Sequence, residues 1–453
     1  MTSLFYLLGV VIFVLAILAS IGLHELGHMI PAKKFGGKVT QYFIGFGPTV
    51  WSKQVGETEY GVKAIPLGGY VKIVGMLPPG AEELADEVSL DAEGNQVVKV
   101  RKSNTGMFTQ LVSDARAAEW ETIQPEDSDR LFYKMDWWKK VTVMAGGPTV
   151  NILIAFFIFW GVFAFYGQRT VEPDAGRPVI DEVSQCVIPY VDNRTECRSD
   201  DPISPAAEAG LRPGDVITTF NGTAVTGWEQ LRSLIRTNAD GTAVIGYERD
   251  GQALTGTTST TVEARPTSNT DQTLRQVGFL GVTPTTYIKV DTGGPIYTLQ
   301  QMGTMTKQTV VALGTLPVKV WGVGEAIVGV KDRAVDSPVS IVGGGRLAGE
   351  TVSQEAFPVA EKAVFLLMLV AGFNLFIGLF NFIPLLPLDG GHIAGALWEA
   401  IRRGWARLRG RPDPGYVDVA KLLPIAYGVA AVLLVMGVVL IIGDLVVPIH
   451  LAS

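Results

Sequence analysis

Two histidines and a glutamate form a short pattern near the start of the chain, at His24, Glu25 and His28. Residues four apart on a helix project from one face, so the two imidazoles can share a single Zn²⁺. Glu25 suits a general base that takes a proton from water while staying off the metal. Histidine is scarce, with four in the chain, so this pattern is more specific than a chance pair of helix histidines.

A catalytic zinc site usually takes three protein ligands, so a third must come from elsewhere. Asp389 is the first charged residue after a long apolar stretch, and Pro384 and Pro387 interrupt helical geometry just before it. Taken alone, Asp389 could simply cap a helix that begins near Gly391. His392 lies three residues further on and competes with it as a ligand, although a structural role fits His392 better.

The elements that must position these residues are apolar. Apolar residues make up 47% of the 453 residues, which argues against an ordinary soluble protein. Four stretches carry no charge: 4–23, 141–166, 363–388 and 422–443. Each reaches the roughly 20 residues that a helix needs to span a bilayer. The sequence therefore predicts four transmembrane helices, and ionisable residues inside an apolar span favour function over accident.

Basic residues predict the orientation of these spans. Lys33, Lys34 and Lys38 follow the first span, and Arg402 and Arg403 lie between the third and fourth. The positive-inside rule makes both loops cytoplasmic, so both termini and the segment from about 167 to 361 face outward. Spans one and three then run in the same direction, which brings the histidine pair and the aspartate to a similar level near the cytoplasmic side.

The predicted fold is a mainly α-helical membrane protein with small β regions. Its predicted segments are transmembrane helix 1 with the zinc motif (1–35), a cytoplasmic membrane-associated β hairpin or sheet (36–77), a polar cytoplasmic insertion (78–137), transmembrane helix 2 (138–167), an extracytoplasmic β-rich domain (178–284), an interfacial amphipathic segment (285–360), transmembrane helix 3 with the aspartate (361–400) and transmembrane helix 4 (420–447). Short strands are expected near 39–44, 60–65 and 70–74 because glycines and prolines separate these runs of β-formers.

The outward domain resembles a PDZ domain. The resemblance rests on the run 204–217 (SPAAEAGLRPGDVI), a helix predicted over 228–237 and a glycine loop at 278–282 (GFLGV) that comes last. Such a module adds a peptide strand beside its own and holds a chain end in a backbone nest. Cys186 and Cys197 fall in this outward segment, where a local disulfide is expected, with two free thiols as the alternative.

The motifs together resemble the site-2 protease family of intramembrane metallopeptidases. They are the 24–28 span (HELGH), 68–72 (GGYVK), 145–148 (AGGP) with Asn151, the PDZ-like insert and 388–392 (LDGGH). The resemblance covers nearly the whole chain and implies Asp389 as the third zinc ligand.

The same resemblance suggests which residues meet the substrate. It implies that Asn381 engages an extended substrate and that the strand with Gly68, Gly69 and Tyr70 presents an edge to it. Asn374 is a weaker candidate. The alternatives are an interhelical hydrogen bond for the asparagines and ordinary packing for the strand.

The expected function is hydrolysis of peptide bonds in membrane-spanning substrates by one Zn²⁺, in the cytoplasmic membrane. The resemblance implies single-pass substrates such as anti-sigma factors already cut by another protease, and remnant signal peptides. An inactive PDZ-bearing scaffold and an ion-coupled transporter are the alternatives; a transporter would require internal repeats, which are not seen. A net charge of -7 gives no sign of a nucleic-acid partner.

Overall fold

The computed structural model describes residues 2–79, 89–90, 96–97, 107–121, 123–173, 177–192, 196–266, 274–334 and 336–449. The chain forms two compact units, Met1–Tyr166 with Gly293–Ser453, and Gly167–Thr292. We term them the helical unit and the β-rich unit. Much of the predicted polar insertion, 78–137, lies outside the described residues.

The described part of the chain is mainly helical, as predicted, and carries several small sheets. The helices are α1 Thr2–Lys34, α2 Met107–Trp120, α3 Trp137–Phe165, α4 Pro205–Glu208, α5 Trp228–Thr237, α6 Pro295–Ile327, α7 Ile341–Ser353, α8 Val359–Asn381, α9 Asp389–Leu408 and α10 Leu423–Val446. The strands are β1 Val39–Val55, β2 Thr58–Ile73, β3 Ser89–Leu90, β4 Gln96–Val97, β5 Gln168–Pro173, β6 Ile180–Val183, β7 Val216–Phe220, β8 Thr223–Ala224, β9 Thr242–Arg249, β10 Gln252–Ser259, β11 Thr261–Pro266, β12 Leu274–Phe279, β13 Val282–Pro284 and β14 Thr286–Asp291.

Five helices of the described residues are long and apolar enough to cross a membrane, where the sequence predicted four spans. Four of them, α1, α3, α8 and α10, correspond to the predicted spans. The fifth, α6, is the least apolar of the five and lies in the segment predicted as interfacial. The third span is shorter than expected, because α8 ends at Asn381 and the prolines that follow keep 382–388 out of the helix.

Glycines bring the central helices close together. A Cβ on Gly146 of α3 would lie 2.0 Å from the carbonyl oxygen of Gly27 on α1, so these two helices touch backbone to backbone. Gly9 of α1 meets the backbone of Ala348 on α7 in the same way, at 2.5 Å. Without side chains in between, α1 packs tightly against both neighbours, as small residues allow in membrane helices.

The two long strands β1 and β2 each bend. Gln41 pairs with Glu59 on one side and with Lys72 on the other. The three short strands predicted near 39–44, 60–65 and 70–74 are therefore parts of two long strands, in which the last two predicted strands are continuous. The bends fall at Gly45 and at Gly68, whose positive φ angles favour glycine. The last part of β2, 69–73, pairs with 39–44 and forms an edge of this small sheet.

The β-rich unit is larger than the predicted 178–284, because β5 and β14 pair outside those limits. Its four-stranded sheet has the order β10-β9-β7-β8, and α5 has the predicted bounds. The turn at Asn221-Gly222 has positive φ at both residues, which suits this tight hairpin. Cys186 and Cys197 form the expected disulfide.

Candidate metal centre

Three side chains meet between α1 and the start of α9. The Nε2 atoms of His24 and His28 are 3.2 Å apart, and Oδ2 of Asp389 lies 3.4 Å from each of them. Within the described residues these three form the group that could hold a metal ion. The two motifs that the sequence placed at a common level therefore do meet.

The shape of this triangle fits zinc. Ligand atoms about 2 Å from a tetrahedral ion are about 3.3 Å from one another, which matches all three sides. Asp389 Oδ2 is buried and has no hydrogen-bond partner in the described structure, so this acceptor calls for a cation. The donor set, two imidazoles and one carboxylate, is typical of catalytic zinc sites.

A glycine keeps the space between the ligands open. A Cβ on Gly147 of α3 would lie 2.3 Å from Nε2 of His28 and 2.7 Å from Nε2 of His24. Both distances are far below van der Waals contact, so the site requires glycine here. Gly147 belongs to the motif at 145–148, and the structure gives that motif a physical reason.

The second nitrogen of each histidine is held by a hydrogen bond. His28 Nδ1 lies 2.8 Å from the carbonyl oxygen of Val143. Because a carbonyl can only accept, Nδ1 carries the proton and Nε2 keeps its lone pair for the metal. His24 Nδ1 lies 2.7 Å from Oδ1 of Asn151 on α3.

A buried polar chain fixes the orientation of Asn151. Its Nδ2 donates to Oδ1 of Asn374 on α8, whose own Nδ2 donates to Ser20 Oγ of α1 and to the carbonyl of Val370. The Val370 carbonyl can only accept, so it sets the amide of Asn374, and through it that of Asn151. Asn151 Oδ1 must then accept the proton of His24 Nδ1. Three helices thus determine one tautomer.

The short segment before α9 is built to deliver Asp389. A Cβ on Gly390 would lie 2.1 Å from the carbonyl oxygen of Ile383, and one on Gly391 2.6 Å from the nitrogen of Leu386. The two glycines therefore let the proline-containing segment fold back on the first turn of α9. Asp389 begins α9, with Leu388 as the residue before it, so it belongs to the first helical turn rather than capping a later start.

Glu25 lies in the same cavity as the three ligands, and this cavity has a volume of about 690 Å³. Glu25 is 9% exposed, and its Cγ would be 2.9 Å from a Cβ on Gly69 of β2. Gly68, Gly69 and Tyr70 of the edge strand line the same cavity as the candidate ligands. Glu25, the three candidate metal ligands and a strand edge that no other described strand covers thus share one cavity.

The remaining candidate residues differ in where they lie relative to the three candidate ligands. Asn381 and His392 line the cavity, but His392 is outside the group of metal ligands found in the described residues. Asn374 is fully buried and bonded between helices, which is the alternative left open for it. Sequence reasoning missed Ser20. The signal was its spacing, since Ser20, His24 and His28 recur every four residues on α1.

Comparisons with known proteins identify the family to which this chain is related. The model of peptidase family M50 matches residues 12–421. Zinc metalloprotease Rip1 of Mycobacterium tuberculosis is 32% identical over 455 residues, covering 98% of this chain and 99% of the relative. Rip1 of Mycolicibacterium smegmatis is 32% identical over 98% of both chains. Metalloprotease MmpA of Caulobacter vibrioides is 23% identical over 86% of both.

Proposed function

Since this chain belongs to peptidase family M50 and is a zinc metalloendopeptidase and a membrane protein, we propose that it cleaves single-pass membrane proteins within or near their membrane-spanning segments. One observation carries the proposal. His24, His28 and Glu25 lie on the apolar helix α1, and together with Asp389 they line a cavity that also contains a strand edge.

Each residue of the centre has a distinct task. His24, His28 and Asp389 hold the zinc, and Asn151 and the Val143 carbonyl keep both imidazoles in the binding tautomer. When bound, zinc polarises the scissile carbonyl and makes water a better nucleophile. Glu25 takes the proton of the attacking water and passes it to the leaving nitrogen.

A helical substrate hides its carbonyls in backbone hydrogen bonds, so it must unwind before it reacts. The edge of β2 at Gly68, Gly69 and Tyr70 pairs with the extended substrate by strand addition. The amide side chain of Asn381 binds the same backbone. Helix-breaking residues in the substrate therefore favour cleavage.

The contacts of α6 support an arrangement in which α1, α3, α8 and α10 span the membrane and α6 lies across them. At the start of α6, the ring of Tyr297 lies 5.7 Å from that of Phe163 near the end of α3. Near the other end of α6, Val323 lies against Gly443 of α10, where a Cβ would be 2.4 Å from it. The two ends of α6 thus have fixed neighbours.

The neighbours of the two ends of α6 lie at about the same depth along the helix bundle. Gly343 of α7 donates its N–H to Asp444, the residue after Gly443, and the next residue, Gly344, packs on Phe13 of α1. The helices α1 and α3 cross at Gly27 and Gly146. At the helical rise per residue, Phe13 and Phe163 each lie roughly 20 to 25 Å from this crossing, and both lie on the same side of it. A helix about 50 Å long with both ends at one level runs across the spans, along the membrane surface.

We place the protein in the cytoplasmic membrane, with the metal centre toward the cytoplasm and the β-rich unit, which resembles a PDZ domain, outside. The substrates are membrane regulators such as anti-sigma factors that another protease has already shortened, and remnant signal peptides. The PDZ-like unit binds the new chain end or excludes substrates with large outward domains.

The test is cleavage of a model membrane helix by the purified protein in detergent, with zinc measured by mass spectrometry. Glu25→Gln should retain zinc and lose cleavage, and equal cleavage by both proteins would refute the mechanism. Asp389→Asn should lose zinc, whereas His392→Ala should keep it. The reverse pattern would transfer the third ligand to His392.

A further inference from the structure

The β-rich unit carries a second cavity, of about 430 Å³, between α5 and the loop 278–281. We term it the α5 groove. Its floor is apolar, with Trp228 and Ile235 of α5 and the fully buried Leu280. None of the residues that line this groove belongs to the candidate metal centre.

Three arginines line the α5 groove: Arg232 and Arg236 from successive turns of α5, and Arg265 from β11. Among the described residues that line it, none is acidic. The groove is therefore apolar at its floor and strongly positive along its walls, and this combination favours an anionic ligand with an apolar part.

The arginines keep donor capacity that the protein does not use. Arg265 stacks over the ring of Phe279 at 4.2 Å, and its Nη2 donates to the Ile188 carbonyl, while its Nε is buried without a partner in the described structure. Burial lowers the pKa of its guanidinium, a sign of a poorly hydrated cation. Arg236 donates to a backbone carbonyl, that of Pro266. Arg232 has Glu229 at 3.4 Å on the same helix.

The backbone of the groove also offers free hydrogen-bonding groups. Strand β13 pairs with β6 along one edge, and no other described strand pairs with it. The carbonyls of Leu280 and Gly281 accept bonds from Ala206 and Ser184, but their own N–H groups donate to no backbone carbonyl in the described structure. Gly281 has a φ of +92°, which turns its backbone at the end of the groove.

We propose that the α5 groove selects acidic chain ends. An extended peptide pairs with the free edge of β13, its terminal carboxylate accepts from the N–H groups of Leu280 and Gly281, and its glutamate or aspartate side chains pair with Arg232 and Arg236. Strand addition alone would accept any extended chain end, and the arginines provide the preference for acidic side chains. The inference deepens the chain-end role proposed for this unit and rests on it.

The test uses the full-length Glu25→Gln protein in uncharged detergent, so that no peptide is cleaved. The probes are fluorescent peptides that end in Glu-Glu-Glu-Val or in Gln-Gln-Gln-Val, and binding is followed by anisotropy. Two charge-assisted pairs at a half-buried site should make the acidic peptide bind about tenfold tighter, with a preference that falls as salt rises. Amidation of its C-terminus should weaken binding.

Matched variants assign the effect to the arginines. The double variant Arg232→Gln, Arg236→Gln should lose the preference, and the corresponding lysine variant should keep most of it. Arg212→Gln, at an exposed arginine outside the groove, should behave as the parent. Equal binding of the two peptides, binding of neither, or a preference that survives the double glutamine variant would overturn the proposal.

This experiment is independent of catalysis. Cleavage of a model membrane helix with no acidic chain end tests the proposed proteolysis alone. Loss of peptide selection with intact cleavage would therefore count against the α5 groove, and the opposite outcome against the protease mechanism.

Discussion

Replacing Gly147 by alanine adds a single methyl group at the metal centre. The new carbon would lie 2.3 Å from Nε2 of His28 and 2.7 Å from Nε2 of His24. Relaxed contact between such atoms needs about 3.5 Å, so the nearer overlap exceeds about 1 Å. Either α3 must move away from α1, which breaks their backbone contact at Gly146 and Gly27, or the imidazoles must turn away, and both changes displace the ligands.

Zinc sites tolerate ligand displacements of only about 0.2 Å, so Gly147→Ala should weaken zinc binding by at least about 100-fold. Zinc retention is measured by mass spectrometry after dialysis against a series of zinc buffers, with cleavage of a model membrane helix as the second readout. The matched control is Gly161→Ala on the same helix, where an added Cβ meets no atom within 4 Å. It should keep zinc and activity. Parent-like zinc affinity in Gly147→Ala would refute the geometry of the centre.

Three further substitutions test other parts of the structure. Asn374→Leu removes the anchor of the polar chain and should lower zinc affinity about tenfold with the fold retained; unchanged affinity would show that His24 needs no such support. Gly69→Val places a side chain 2.9 Å from the Cγ of Glu25 and should reduce cleavage about 100-fold without loss of zinc, so zinc loss would contradict it. The hydrogen bond from Lys38 holds the pKa of Asp127 below its usual range, so this pair stabilises the fold above about pH 4 and the stabilisation is lost as pH falls through the lowered pKa. The thermal midpoint of Asp127→Asn should depend less on pH below 4 than that of the parent, and parallel curves would refute the assignment.

The ligands could be predicted from the sequence because each is a polar residue in or beside an apolar run. The pairing of His24 and His28 follows from helical spacing, the common direction of two spans brings Asp389 to their level, and the resemblance implies its role as a ligand. The polar chain through Asn151 and Asn374 could not be predicted, since the spacing along one helix says nothing about which residue faces it on another. Only the position of Ser20, one turn before His24, carried a signal.

The region 39–74 was predicted as three short strands, and it forms two long bent strands instead, so which edges are paired depends on how the chain bends. The positive φ angles at Gly45 and Gly68 create those bends, and only the folded backbone reveals which strand is left at the edge. The position of α6 was harder to predict from the sequence, because a helix of intermediate hydropathy fits both a membrane span and a position on the membrane surface. The proposed surface position rests on its contacts with Phe163 and Gly443, and contacts between residues so far apart in the sequence are absent from any local pattern.

The three candidate metal ligands lie on helices that are far apart along the chain. His24 and His28 lie on α1, whereas Asp389 begins α9, which follows α8. A chain in which α9 has not yet packed beside α1 therefore holds two of the three ligands. Completion of the metal centre thus depends on assembly of the helical unit as a whole.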